Sequence, residues 1–71
     1  MWVLYTVKGH DHEGYDLPEI VGMFPTEREA QAYADAHGLV YTERMYPKTR
    51  HVYDWTEVFI EKVEDLTKGG A

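Results

Sequence analysis

The chain has 71 residues, no cysteine, and thirteen acidic against seven basic side chains, for a formal net charge of −6. That length sets an expectation of one small domain over residues 1–66 with a flexible tail over 67–71, and the lack of cysteine excludes disulfides and thiolate metal sites. The acidity opposes general affinity for nucleic acid, no apolar run nears the ~20 residues that cross a bilayer, and the start Met1-Trp2-Val3-Leu4-Tyr5 has no basic leader segment, so a cytoplasmic protein with no membrane partner is expected.

Trp2 to Lys8 reads as the first strand. Val3, Tyr5 and Val7 alternate with Trp2, Leu4 and Thr6, and both sets are largely apolar, as a central strand requires. Gly9 to Pro18 reads as a long polar loop, since two glycines, a proline and a run of charged and imidazole side chains break regular structure. Glu19 to Phe24 is the second strand, with Gly22 marking a bulge or a close approach of backbone.

Thr26 to Gly38 carries agreeing helix signals. Thr26 is an N-cap, Glu29 three residues on completes a capping box, and Glu27 and Glu29 place negative charge at the positive end of the helix dipole. Ala30, Tyr33, Ala34 and His37 share one face. The two alanines let a backbone approach closely, and Tyr33 is expected to bury its ring. Gly38 suits the left-handed position that ends a helix.

Leu39 to Tyr46 is a third strand and Pro47-Lys48-Thr49 a turn. His51 to Val63 reads in two ways. The β-branched and aromatic residues favour a strand, whereas Asp54-Trp55-Thr56-Glu57 mimics a capping box and Trp55, Val58, Phe59, Val63 and Leu66 share a helical face. The strand reading is preferred. The fold class is therefore α+β, an antiparallel sheet of three to four strands with one helix on one face, in the order β-β-α-β-β; the alternative is β-β-α-β-α.

The run Ile20-Val21-Gly22-Met23-Phe24-Pro25-Thr26-Glu27-Arg28-Glu29-Ala30, with Ala34 and the later Val58-Phe59-Ile60-Glu61-Lys62-Val63, resembles a group of small uncharacterised phage and bacterial domains. Their pattern is a strand ending in G-x-[FY]-x-[ST] and a helix opening x-x-E-A. The resemblance covers about half the chain. It implies a fold, with no activity and no functional residues to carry over.

Three clusters are candidates for chemistry. His10, Asp11, His12 and Glu13, with Asp16 nearby, offer imidazole and carboxylate ligands to a divalent metal; the same residues would serve as a solvated hairpin loop. Arg44, Lys48, Arg50 and His51, interleaved with Tyr46 and Tyr53, have the composition of a phosphate clamp, or of a turn that balances the acids of the last strand. Glu57, Glu61, Glu64 and Asp65 form an acidic row that a host-directed inhibitor would use to mimic a phosphate backbone, or that would guard an edge strand against aggregation. No catalytic set emerges: serine and cysteine are absent, and His37 is placed as a dipole partner.

The two Trp, six Tyr and two Phe are more aromatic surface than one helix covers. Trp2, Tyr5, Tyr46, Tyr53, Trp55 and Phe59 are therefore expected to bind a protein partner or a second copy of the chain. The expected function is that of a small non-enzymatic accessory protein without a cofactor, acting through a sheet face or edge, as a homodimer or with another protein.

Overall fold

The structure is a computed structural model that describes residues 1–64; the expected tail, and Asp65 and Leu66 of the acidic row and the helical face, lie outside them. The elements in order are β1 (Trp2–His10), β2 (Gly14–Tyr15), β3 (Glu19–Phe24), α1 (Glu27–Ala36), β4 (Thr42–Met45) and β5 (Val52–Lys62). Among the described residues the class is α+β, with one helix and one antiparallel sheet of five strands.

β1 is the spine of the sheet. β5 runs beside all of it, from Trp2 opposite Lys62 to His10 opposite Asp54. A strand has only two hydrogen-bonding edges, so β2 and β3 share the other one. β3 pairs with residues 2–6, and β2 with Gly9 and His10. β4 pairs with the far side of β5. The partner of Leu4 is Gly22 but that of Tyr5 is Ile20, so one residue of β3 is extra and the strand bulges where Gly22 implied it.

Several boundaries differ from the sequence reading, each for a physical reason. The polar loop is shorter, because Gly9 and His10 pair with Trp55 and Asp54 and carry β1 onward. Gly14 and Tyr15 then fold back as β2 across the turn Asp11-His12-Glu13, where His12 and Gly14 take left-handed φ values of 70° and 82°. This two-residue strand makes the sheet one of five strands and adds a member to the expected order. The third strand begins only at Thr42, because Leu39 donates its N–H to the Ala34 carbonyl and Gly38 to that of Asp35, both closing the helix. The helical alternative is overturned over residues 55–62, where β5 pairs with β1 throughout and with β4 as far as Thr56; Val63 and Glu64, just beyond, are helical.

α1 is built as its residues dictate. The Thr26 hydroxyl accepts the Glu29 N–H at 3.1 Å. At the far end Gly38 has φ 66°, and the two closing bonds form a Schellman motif. Ala30 and Ala34 are fully buried against the sheet, and α1 lies on β1, β3 and β5. The Phe24 ring meets Tyr33 at 5.3 Å. Phe24 is opposite Trp2 in register, and side chains alternate, so α1 covers the side of β1 that bears Trp2, Leu4 and Thr6. Leu4 is the largest fully buried side chain. Tyr33 is only partly covered, at 38% exposed, contrary to the buried ring expected of it. It lies at the margin of the interface, stacked on His37 at 4.1 Å.

Candidate functional site

The side of the sheet away from α1 has no described element over it. The Cα extents of 44 × 32 × 13 Å are those of a slab one sheet and one helix thick. Register and alternation define its rows. Met23, Val3 and Glu61 form one; Ile20, Tyr5 and Phe59 the next; then Val7 and Glu57; then Tyr15, Gly9, Trp55 and Glu43. Val3 is buried between its neighbours, while Ile20, Met23, Tyr15 and Tyr41 are exposed.

The rings pack on one another across the strands. Tyr5 and Phe59 stack at 5.1 Å with their planes 19° apart. Tyr15 meets Trp55 edge-on at 5.7 Å. Gly9 makes the Trp55 position possible: a Cβ there would lie 2.2 Å from Trp55 Cε2, so the indole rests on bare backbone.

Two carboxylates of this face are held by aromatic donors. Trp55 Nε1 donates to Glu57 Oε2 at 3.3 Å, and the Tyr41 hydroxyl donates to Glu43 Oε1 at 2.8 Å. The Tyr5 hydroxyl lies beside the Glu61 carboxylate. Burial, and then the Glu61 carboxylate, raise the Tyr5 pKa; the hydrogen bond to Glu43 raises that of Tyr41, with Glu57 adding to it. The Tyr5 shift reports burial first, and the Tyr41 shift its bonded carboxylate.

The explanation of these acids as guards of a sheet edge keeps its ground for Glu57 and Glu61: β4 pairs with β5 only from Val52 to Thr56, so among the described residues no strand lies along the far edge of β5 beyond Thr56. The balancing role expected of the basic turn falls for Glu57 and Glu61. Arg44 pairs with Asp54 at 3.5 Å and Lys62 with Glu64 at 3.8 Å, and among the described residues no lysine or arginine forms an ion pair with Glu43, Glu57 or Glu61.

Of the six aromatic residues singled out from sequence, the structure gathers Tyr5, Trp55 and Phe59 on the open face. Trp2 is on the helix side by register. Tyr46 and Tyr53 stand apart at the β4–β5 hairpin, 4.7 Å from each other, with Tyr46 stacked on His51 and the Arg44 guanidinium 5.1 Å over Tyr53. Lys48 and Arg50 of the basic cluster are exposed beside them. Tyr15, Ile20, Met23, Tyr41 and Glu43 join the open face without having been expected there. Tyr15 lies in the unforeseen β2, and the bulge at Gly22 turns Ile20 outward.

The histidine loop divides between two carboxylates. His10 bonds Asp16 at 3.0 Å, whereas Asp11 holds both His12, at 3.2 Å, and His51. The Asp11 N–H also donates to the Tyr53 carbonyl at 2.9 Å, so Asp11 ties the β1–β2 turn to the β4–β5 hairpin. Among the described residues no group of three His, Asp or Glu side chains is arranged so that it could hold a metal ion, and His10, Asp11, His12 and Glu13 are not gathered into one ligand set. The Asp16 bond raises the His10 pKa, and the His51 bond lowers that of Asp11.

No protein-family model, curated protein or solved structure significantly matches the chain. Among the described residues no helix is long and apolar enough to cross a membrane.

Proposed function

We propose that the protein is a small non-enzymatic binding protein that engages a protein partner through the open aromatic face of its sheet. The observation that carries this reading is the row of rings Tyr5, Phe59, Trp55 and Tyr15 with no described element over it. Exposed apolar patches rimmed by polar groups mark contact surfaces, and aromatic side chains supply most of the binding energy at such sites. Tyr46 and Tyr53 form a separate aromatic group and are not needed for it.

The test is site-specific photo-crosslinking in the native host. Benzoylphenylalanine in place of Tyr41, on the open face, is expected to give one discrete adduct, and the same group in place of Gln31, on the outer side of α1, none. Equal labelling from both positions, or none from Tyr41, would sink the reading.

A second reading is favoured by one observation. Glu43, Glu57 and Glu61 share the face with the rings, so an inhibitor that mimics a phosphate backbone has acids in place for it. Recovery of a DNA-handling enzyme as the Tyr41 adduct, displaced by duplex DNA, would select this version.

A further inference from the structure

We infer that the open face docks a cationic polypeptide segment, its arginine or lysine side chains laid on the rings of Tyr5, Tyr15, Tyr41, Trp55 and Phe59 and their charges set against Glu43, Glu57 and Glu61. This rests on the reading of the face as a binding surface and adds the chemistry of the partner.

The charge on the face decides among occupants. A second copy, face to face, would bring two sets of these carboxylates together, and like charges across an interface cost several kcal/mol. A neutral apolar partner would strip water from three carboxylates without replacing it. A cationic segment meets both features at once. A guanidinium or ammonium within about 6 Å of a ring centroid is attracted by its face, and a carboxylate alongside accepts a charge-assisted hydrogen bond. Arginine suits the site better, because its planar head stacks on rings while its fork bonds carboxylate.

The acids are also pre-positioned. Glu57 accepts through Oε2 from Trp55, and Glu43 through Oε1 from Tyr41. In both, the second oxygen remains to accept from a ligand, and little side-chain freedom is left to lose on binding. The chain builds the same triad elsewhere from its own residues: the Arg44 guanidinium lies 5.1 Å from the Tyr53 ring centre and bonds Asp54 at 3.5 Å. On the open face the ring and the carboxylate are present and the guanidinium is to be supplied.

The test uses the full chain, labelled with 15N, and a twelve-residue peptide of alternating glycine and arginine, with glycine–lysine and glycine–glutamate peptides beside it. Amide shifts are expected on the open-face rows and not on α1, with a change in Trp55 emission. Arginine is expected to bind tighter than lysine, and the glutamate peptide not at all. The triple variant Glu43→Gln, Glu57→Gln, Glu61→Gln keeps an acceptor for each aromatic donor and is expected to weaken binding about tenfold or more, from the loss of charge-assisted bonds. The triple variant Glu27→Gln, Glu29→Gln, Asp35→Asn removes the same charge from α1 and is expected to weaken it less than about threefold, as distant screened charges do. If the first variant unfolds, Glu43→Gln alone, on the exposed strand β4, carries the comparison. Equal losses in both variants, or shifts centred on α1, would overturn the inference. An arginine peptide that leaves the face untouched, while Tyr41 still crosslinks to a neutral partner or a second copy, would overturn the cationic chemistry alone and spare the binding face.

Discussion

At the scale of single residues, Gly9 is the position on which the open face depends most. It is opposite Trp55, and its missing side chain is the space the indole occupies. Gly9→Ala is expected to push the ring off the backbone and to cost about 1–3 kcal/mol, the usual range for overpacking. Chemical denaturation would measure the loss, and the near-UV signal of Trp55 should diminish with it; an unchanged spectrum would show that the ring lies elsewhere. Gly38→Ala meets no atoms, but φ 66° is a left-handed conformation, so about 1 kcal/mol is expected from backbone strain alone.

His10 and Asp11 set a pH window for the turn they occupy. The His10 pKa is raised from 6.5 by Asp16, so its contribution to folding is full below 6.5 and is lost as pH rises through the folded value. The Asp11 pKa is lowered from 3.8 by His51, so its contribution is full above 3.8 and is lost as pH falls through the folded value. Protection of the Asp11 and Asp16 amides against hydrogen exchange, corrected for intrinsic rates, should therefore be greatest between these limits. His10→Gln is expected to remove the alkaline loss and Asp11→Asn the acid loss. Profiles of unchanged shape in both variants would contradict the assignment.

At the scale of elements, α1 was legible almost to the residue, because its signals are local. Thr26, Glu29 and Gly38 act within one turn of themselves, and the two alanines state how close the helix lies. Thr26→Ala should cost about 1 kcal/mol by orphaning the Glu29 N–H, read as a lower urea midpoint with an unchanged slope. β2 was not legible, since a two-residue strand has no periodicity; only its pairing with Gly9 and His10 defines it. β5 was ambiguous for the opposite reason. Its apolar residues suit a helical face and a strand alike, and long-range pairing with β1 decides between them. β4 reaches only as far as Thr56, which among the described residues leaves Glu57 and Glu61 on an open edge of β5, and no local pattern could reveal that. The aromatic residues were read as surplus to one helix, and their distribution required the register: Trp2 differs from Tyr5 by an odd number of residues, and so faces the other way.

At the scale of the whole molecule, the core is small enough for one residue to dominate it. Val3, Leu4, Ala30 and Ala34 are its buried apolar members, and Leu4 alone among them combines large volume with complete burial. A core in a chain of this size supplies about 3–5 kcal/mol of net stability. Leu4→Ala is expected to cost about 2–5 kcal/mol, because α1 rests on the sheet at that point and cannot collapse fully into the void. The two quantities are comparable, so the variant should be substantially unfolded at 25 °C by circular dichroism. A ligand that binds only the folded chain stabilises it by about 2.7 kcal/mol at a concentration one hundred times its dissociation constant. That is enough to restore much of the helical signal. The arginine peptide, binding on the side of the sheet opposite the lesion, should therefore refold Leu4→Ala with a dose dependence that tracks its affinity for the unaltered chain. Adding the substitutions Glu43→Gln, Glu57→Gln and Glu61→Gln should abolish the rescue without touching the core. Rescue that persists in that combined variant would place the peptide somewhere other than the open face.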